Sequence, residues 1–592
     1  TAQNLIAMFL AQARAKGDAP FLSARIDGEW RATSWAEAAR QVAALSGGIR
    51  RMGLRTGDRI LLLSENRPEW CIADLAIMAA GCVTVPVYTT NQVEDHAHIL
   101  SDSGARAVIV SNAKLADKLI PAMLSAGQVE HVIPFEPCRN VQQASMVDCH
   151  RWENLIVPKN GDEAALEAAA ATIQRGDMAC IIYTSGTGGA PRGVMTSHGA
   201  ILHNVHGAGE ILLSDFPRTE DRFLSFLPLS HSYEHTGGQY LPIAMGAEIY
   251  YAESLEKLAA NIEETQPTVM VVVPRLFEVL RMRISKAIEK QGGVPKRLLD
   301  EAIGLGERQA KGKTNLFDPV RALVIDRLLK PKIRAKFGGR IKAMVSGGAP
   351  LSPEIGQFFQ SLGLMLLQGY GQTESGPVVS CNRPAAGVKM DTVGPPLADT
   401  EVKIADDGEI LVRGELVMLG YWRNEGETAR AVVDGWLHTG DVGHIDEAGR
   451  IVITDRKKDI IVNDKGDNIA PQRIEGRLTL QPEIAQAMVH GDKRPHIVAL
   501  IVPDADWAKE WIAANDRPAD LDLTHDKAFL SAIGAAIDRV NKQLSVIEKV
   551  RRFTLADEPF GIENHEMTPS LKVRRHKVNA RYAERLAGLY RG

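Results

Sequence analysis

No two of the six cysteines (Cys71, Cys82, Cys138, Cys149, Cys180 and Cys381) form a CxxC pair, and most stand in apolar stretches. That argues against a zinc finger or a disulfide framework and fits a reducing cytoplasm. The first residues lack the basic-then-apolar pattern of a secretory signal. The longest apolar run, residues 76–88, is too short to span a bilayer and is broken by Gly81 and Pro86. A cytoplasmic chain is therefore expected, with peripheral contact to an inner membrane left open. Charge of one sign is also lacking: 69 basic and 73 acidic residues leave a net charge of −4. Nothing attracts the chain as a whole to a phosphate backbone, so no nucleic-acid partner is expected. Local basic patches can still hold a small phosphorylated ligand. Internal repeats and low-complexity tracts are absent. What is present is a globular mix, 45% apolar and 24% charged, over 592 residues. That length exceeds one ordinary core and implies several subdomains.

The first part of the chain alternates helical and strand patterns. Ser34-Trp35-Ala36-Glu37 has capping-box spacing before an Ala-rich helix. Gly57-Asp58 turns into a strand over residues 59–63, and further strands are predicted over 83–86, 105–110, 269–273 and 343–346. Short apolar strands separated by helices indicate a parallel sheet. After Pro395 the texture changes. Residues 401–404, 409–413 and 450–454 read as strands linked by Asp-Gly and Ala-Gly turns, which predicts a small β-rich subdomain. A polar stretch, residues 455–459, leads into a final α+β section.

The strongest local signal is Tyr183-Thr184-Ser185-Gly186-Thr187-Gly188-Gly189-Ala190-Pro191-Arg192-Gly193-Val194. A buried strand runs into small and hydroxyl residues and then meets a cation. Glycines let the backbone approach phosphate closely, and their N–H groups can point at its oxygens. The GK[ST] ending of a Walker A loop is missing. On composition alone, a flexible Gly/Ser loop is an equal reading. The segment resembles the phosphate loop of the adenylate-forming superfamily, whose usual pattern is YTSGTTGxPKGV. This chain departs from it at Gly188 and at Arg192, where the pattern has Thr and Lys.

Further motifs follow in the family's order. Ser346-Gly347-Gly348-Ala349-Pro350 resembles the segment against adenine. Gln368-Gly369-Tyr370-Gly371-Gln372-Thr373-Glu374 resembles the YGxTE motif. Taken alone, Glu374 reads as a solvated acid; the resemblance makes Tyr370 flank the base and Glu374, with Thr184, hold Mg²⁺ on ATP. Gly435-Trp436-Leu437-His438-Thr439-Gly440-Asp441 is similar to the ribose-binding motif. Asp455-Arg456-Lys457-Lys458-Asp459, otherwise a charged linker, is similar to the hinge motif. By that match Arg456 reaches the ribose and Lys458 is the pivot. Thr568-Pro569-Ser570-Leu571-Lys572 is similar to the catalytic-lysine motif, which makes Lys572 the group that bridges acyl carboxylate and α-phosphate.

Long-chain acyl-CoA synthetases carry segments like residues 227–234 and 273–278. The resemblance implies an acyl tunnel near residues 231–238, with His231, Gly237 and Gly347 contacting substrate. The nucleotide set is Thr184, Ser185, Gly186, Thr187, Gly188, Arg192, Gly348, Ala349, Pro350, Gln368, Gly369, Tyr370, Gly371, Thr373, Asp441 and Arg456. The implied fold is α/β. It has a large N-terminal domain, residues 1–457, with parallel sheets, helices and a β-rich subdomain, and a small mobile C-terminal α+β domain, residues 458–592. The implied reaction joins a fatty acid, medium to long, to CoA through an acyl-adenylate, with ATP and CoA as co-substrates and Mg²⁺ as cofactor. Two other readings stand beside it. One is a fatty acyl-AMP ligase that loads a carrier protein, which the lack of an insertion between Asp441 and Asp455 disfavours. The other is a zinc peptidase, since His231-Ser232-Tyr233-Glu234-His235 fits HxxEH. A homodimer stays open.

Overall fold

The computed structural model describes residues 2–139, 141, 147–184, 190–310, 313, 315, 317–518, 520–568 and 573–591. Ser34 caps its helix as the spacing predicts: its hydroxyl accepts from the Glu37 N–H at 3.2 Å, and the helix runs Trp35–Arg51. Glu37 turns to Arg40 and Gln41 rather than back to the cap. Gly57 adopts φ +84, a conformation that favours glycine, and the strand Arg59–Leu63 follows.

Two eight-stranded sheets form among the described residues. In one, the neighbouring strands Met178–Thr184, Val83–Val87, Arg59–Leu63, Ala107–Val110 and His131–Pro134 are all parallel. Their buried faces are near-continuous Val, Ile and Leu, as parallel strands covered on both sides require. The other sheet has a parallel centre of Leu366–Gly371, Ala343–Ser346, Val269–Val272, Arg222–Ser225 and Glu248–Tyr251.

The β-rich region is a five-stranded antiparallel sheet built around Glu409–Arg413 and Trp436–Ile445. Its strand Ile451–Arg456 ends in a turn at residues 457–459. Beyond the turn, Ile484–His490, Ile497–Pro503 and Val550–Leu555 make a three-stranded sheet packed on the helices Pro471–Leu478 and Lys527–Asn541. This unit touches the helix Pro274–Gln291 through Arg275, which donates to the Ala485 carbonyl at 3.2 Å, and through a Lys286–Glu510 ion pair at 2.5 Å. No described helix is long and apolar enough to cross a membrane.

Candidate active site

The sequence motifs gather at the carboxyl ends of neighbouring parallel strands. Arg222–Ser225 leads to residues 227–235, Val269–Val272 to Pro274, Ala343–Ser346 to Gly347 and Gly348, and Leu366–Gly371 to Thr373 and Glu374. Ligands bind outside such ends in open α/β sheets, because the loops there diverge and leave a crevice. Side chains then lock the loops together. The Ser232 and Thr373 hydroxyls are 3.1 Å apart, and the Tyr233 hydroxyl donates to the Val345 carbonyl at 2.9 Å. Gly347 lies so close to Tyr233 that a Cβ there would meet the ring at 2.7 Å. Gly348 has φ +81.

Asp441 is the centre of the arrangement. It is buried on Trp436–Ile445, directly across from Arg456 on Ile451–Arg456. One carboxylate oxygen accepts from the Tyr370 hydroxyl at 2.7 Å, the other from Arg456 Nε at 2.8 Å. Three separate motifs thus meet at one carboxylate. An ionised carboxylate offers about four acceptor positions, so two of them remain for diol hydroxyls. Gln372 reaches the Thr439 carbonyl at 3.2 Å and fixes the same two elements.

Glu374 is half-buried, and one of its oxygens accepts from Tyr421 at 2.8 Å. Tyr421 belongs to the short strand Gly420–Tyr421, which pairs with Arg192–Ser197. The Arg192 guanidinium sits 4.5 Å from the Tyr421 ring centre and 2.8 Å from Glu427. Arg192 also pairs with Thr184 across the hairpin that carries the Gly-rich loop. Tyr421 therefore joins Arg192 to Glu374.

Residues 9–422 match a family profile described as AMP-binding enzyme, and residues 458–592 match the AMP-binding enzyme C-terminal domain. The chain belongs to the AMP-binding enzyme family. It is 34% identical to a long-chain-fatty-acid–CoA ligase, FadD15, of Mycobacterium bovis, over 99% of this chain and 97% of that one. It is 31% identical to the peroxisomal long chain acyl-CoA synthetase 7 of Arabidopsis thaliana, over 95% of this chain and 82% of that one. Among solved structures, the adenylation domain of a carboxylate reductase from Mycobacterium chelonae superposes with a TM-score of 0.78 at 21% identity, over 100% of this chain and 91% of that one. ATP-bound MatB from Rhodopseudomonas palustris gives 0.67 at 21% identity, over 98% of this chain and 99% of that one.

Several predicted site residues of this AMP-binding enzyme fall outside the described ones: Ser185, Gly186, Thr187, Gly188 and Lys572. Gln368 is buried, with its amide donated to the Met390 carbonyl. Gly369 and Gly371 lie in the same strand, and a Cβ at Gly371 would overlap the Pro377 carbonyl. Ala349 and Pro350 are exposed. Lys458 is exposed in the turn after Arg456, while Lys457 is held by Asp407 at 2.5 Å and Glu409 at 2.7 Å.

The HxxEH residues do not converge. His231 caps a short helix, its Nδ1 accepting from the Tyr233 N–H at 3.2 Å. Glu234 accepts from Ser225 at 2.6 Å, and burial pushes its carboxyl up to about 8. His235 donates Nε2–H to Asp74 at 2.8 Å, and Gln239 and Tyr240 also bond Asp74, at 2.9 and 2.6 Å. Burial works against both charges of this pair, yet their mutual attraction holds Asp74 below and His235 above the ordinary range. No metal-binding group among the described residues includes these side chains. The network anchors the π-helix His235–Tyr240, which contains Gly237 and Gly238. Glycine at 238 is required by Glu234, whose Oε1 would be 2.2 Å from a Cβ there. Sequence reasoning missed Tyr421, Asp74 and Glu427. A Gly-Tyr-Trp run at residues 420–422 is the one signal that could have marked Tyr421.

Proposed function

We propose that this chain is an ATP-dependent ligase that converts a medium- to long-chain fatty acid and CoA into acyl-CoA through an acyl-adenylate. The observation that carries the reading is the meeting of Tyr370, Asp441 and Arg456 at one buried carboxylate. It joins a base-flanking aromatic to a ribose-type acceptor, in a chain whose relatives include one named a long-chain-fatty-acid–CoA ligase and one named a long chain acyl-CoA synthetase. In the first half-reaction, a fatty carboxylate oxygen attacks the α-phosphorus of ATP and pyrophosphate leaves. In the second, the CoA sulfur attacks the acyl carbonyl, its proton passes to solvent, and AMP leaves. Lys572 is assigned to the first step, where its ammonium would offset charge on the α-phosphate and acyl oxygens. His231, Gly237 and Gly347 are assigned to the acyl side.

Glu374 and Thr184 suit Mg²⁺, since a carboxylate and a hydroxyl are hard oxygen donors and Tyr421 takes only one Glu374 oxygen. The ion, when bound, neutralises charge on the leaving pyrophosphate. Lys458 is assigned as the pivot between residues 1–457 and 458–592. Transfer to CoA rather than to a carrier protein is supported by the tight connection between Trp436–Ile445 and Ile451–Arg456, only residues 446–450. The test is isotope exchange of pyrophosphate into ATP. Exchange should depend on both a fatty acid and Mg²⁺; folded protein that gives none with any fatty acid overturns the reading.

A further inference from the structure

At the far edge of the sheet that carries the Gly-rich loop, three side chains that the ligase reaction does not use point at one another. His131 Nδ1 lies 3.1 Å from His150 Nε2 and 3.8 Å from an Asp148 carboxylate oxygen. The ligand atoms of all three lie within 4.8 Å of one another.

Register explains the cluster. His131–Pro134 pairs in parallel with the two-residue strand Asp148–Cys149, and His131 stands directly opposite Asp148. The His150 N–H donates to the Val132 carbonyl at 2.9 Å, which continues the ladder by one residue. Side chains alternate along a strand, so Asp148 and His150 share the face of His131 while Cys149 turns to the other. Cys149 packs against the apolar core on that other side, which removes it from the ligand set.

We propose that His131, His150 and Asp148 form a binding site for a divalent transition metal of the zinc type. In a tetrahedral site with bonds of about 2.0–2.1 Å, donor atoms stand roughly 3.3–3.4 Å apart. The observed 3.1 and 3.8 Å bracket that separation for the two pairs that include His131, and the third pair lies within 4.8 Å, so rotation of the exposed Asp148 side chain completes the set. Two imidazoles and one carboxylate are a borderline set that selects zinc, cobalt, nickel or copper over Mg²⁺ or Ca²⁺. Three protein ligands leave the fourth position to water. His131 is buried, and its other ring nitrogen faces Glu130 at 4.0 Å. At that distance the carboxylate makes no hydrogen bond, but its charge favours a proton on Nε2 and leaves Nδ1 free to ligate. Glu130 is itself fixed by Arg106 at 3.0 and 2.6 Å.

The site is separate from the Mg²⁺ ligands assigned above. His131–Pro134 lies four strand spacings from Met178–Thr184, about 19 Å at ~4.8 Å each. A metal here would cross-link a strand of two residues, too short to hold by its ladder alone, to the body of the sheet. The role is therefore structural, and adenylation does not depend on these three side chains.

The test uses the full chain, stripped with a chelator and titrated with Co²⁺ and Zn²⁺ without nucleotide. Wild type should take up one saturable equivalent. Its cobalt spectrum should show nitrogen and oxygen ligation without the thiolate charge-transfer band. Zinc should raise its melting temperature. The double variant Asp148→Asn, His150→Gln changes one exposed and one half-exposed side chain and leaves buried His131 in place. It should lose the saturable equivalent and the zinc-dependent shift while keeping pyrophosphate exchange. Equal stoichiometry and affinity in wild type and variant, a thiolate band, or no saturable binding by wild type would each overturn the proposal; the last leaves an ion-free histidine pair.

Discussion

Both oxygens of Asp441 are taken by protein groups, so each partner can be removed alone. Tyr370→Phe keeps the ring and deletes one hydrogen bond from an uncharged donor to the carboxylate, worth about 1.5 kcal/mol. The KM for ATP should rise by roughly tenfold. Asp441→Ala deletes a charged acceptor and leaves Arg456 unpaired, at about 1.5–3 kcal/mol. Loss of kcat/KM for ATP should be roughly ten- to hundredfold. Steady-state kinetics at saturating fatty acid and CoA compare the two; equal effects would remove Asp441 from the ribose role. Glu234 gives a pH prediction. With its carboxyl at about 8 in the fold and near the ordinary ~4.3 when unfolded, the folded state keeps a proton that the unfolded state releases. Stability from this group is complete below the unfolded value and is lost as pH rises toward 8. Glu234→Gln should flatten the fall in melting temperature between about pH 5 and about pH 8; parallel curves for wild type and variant would contradict the assignment. At this scale local motifs singled out Asp441, Arg456 and Tyr370, and the fold brings the three side chains together. The partners of Arg192 were not legible, since Tyr421 and Glu427 lie more than two hundred residues away along the chain. Nothing short-range announces them.

Elements were more legible than contacts. Strands at Arg59–Leu63, Ala343–Ser346, Glu401–Ile404 and Glu409–Arg413 fall where apolar runs and turn residues place them. Those signals act within a few residues of the chain. The π-helix His235–Tyr240 could not be read the same way. Its register is fixed by Asp74 on a distant helix, and no local propensity encodes that contact. The turn at residues 457–459 carries the hinge prediction. It is held by the Lys457 N–H on the Gly440 carbonyl and by the Asp459 and Ile460 N–H groups on the Arg456 carbonyl, none of them Lys458's own. A few residues that absorb a large φ/ψ change suffice for domain rotation. Proline fixes φ near about −65° and restricts the preceding residue. Lys458→Pro should therefore form acyl-adenylate while transfer to CoA slows sharply, with Lys458→Ala separating backbone from side-chain effects. Single-turnover assays of each half-reaction measure this, and unimpaired transfer in the proline variant rules Lys458 out as the pivot.

For the whole molecule, the ordered motifs and the alternation of helices and strands foretold an α/β body, a β-rich region and a terminal α+β unit, and the sheets have that arrangement. The contacts of the terminal unit with the helix Pro274–Gln291 were not foretold, since Ala485 lies 210 residues from Arg275 and Glu510 lies 224 from Lys286, and no local pattern pairs them. The motif residues at the strand ends, with Glu374 and Asp441, fit one two-step reaction in which a carboxylate is first activated and its acyl group then transferred. The direct measurement is product analysis by mass spectrometry over a panel of carboxylic acids, with Mg·ATP present and CoA either present or withheld. Without CoA, fatty acids should yield enzyme-bound acyl-adenylate and pyrophosphate in a single turnover. With CoA, the same acids should yield acyl-CoA and AMP in equal amounts through many turnovers. AMP release that is indifferent to the acid, or acyl-adenylate that persists unchanged when CoA is added, would contradict the account.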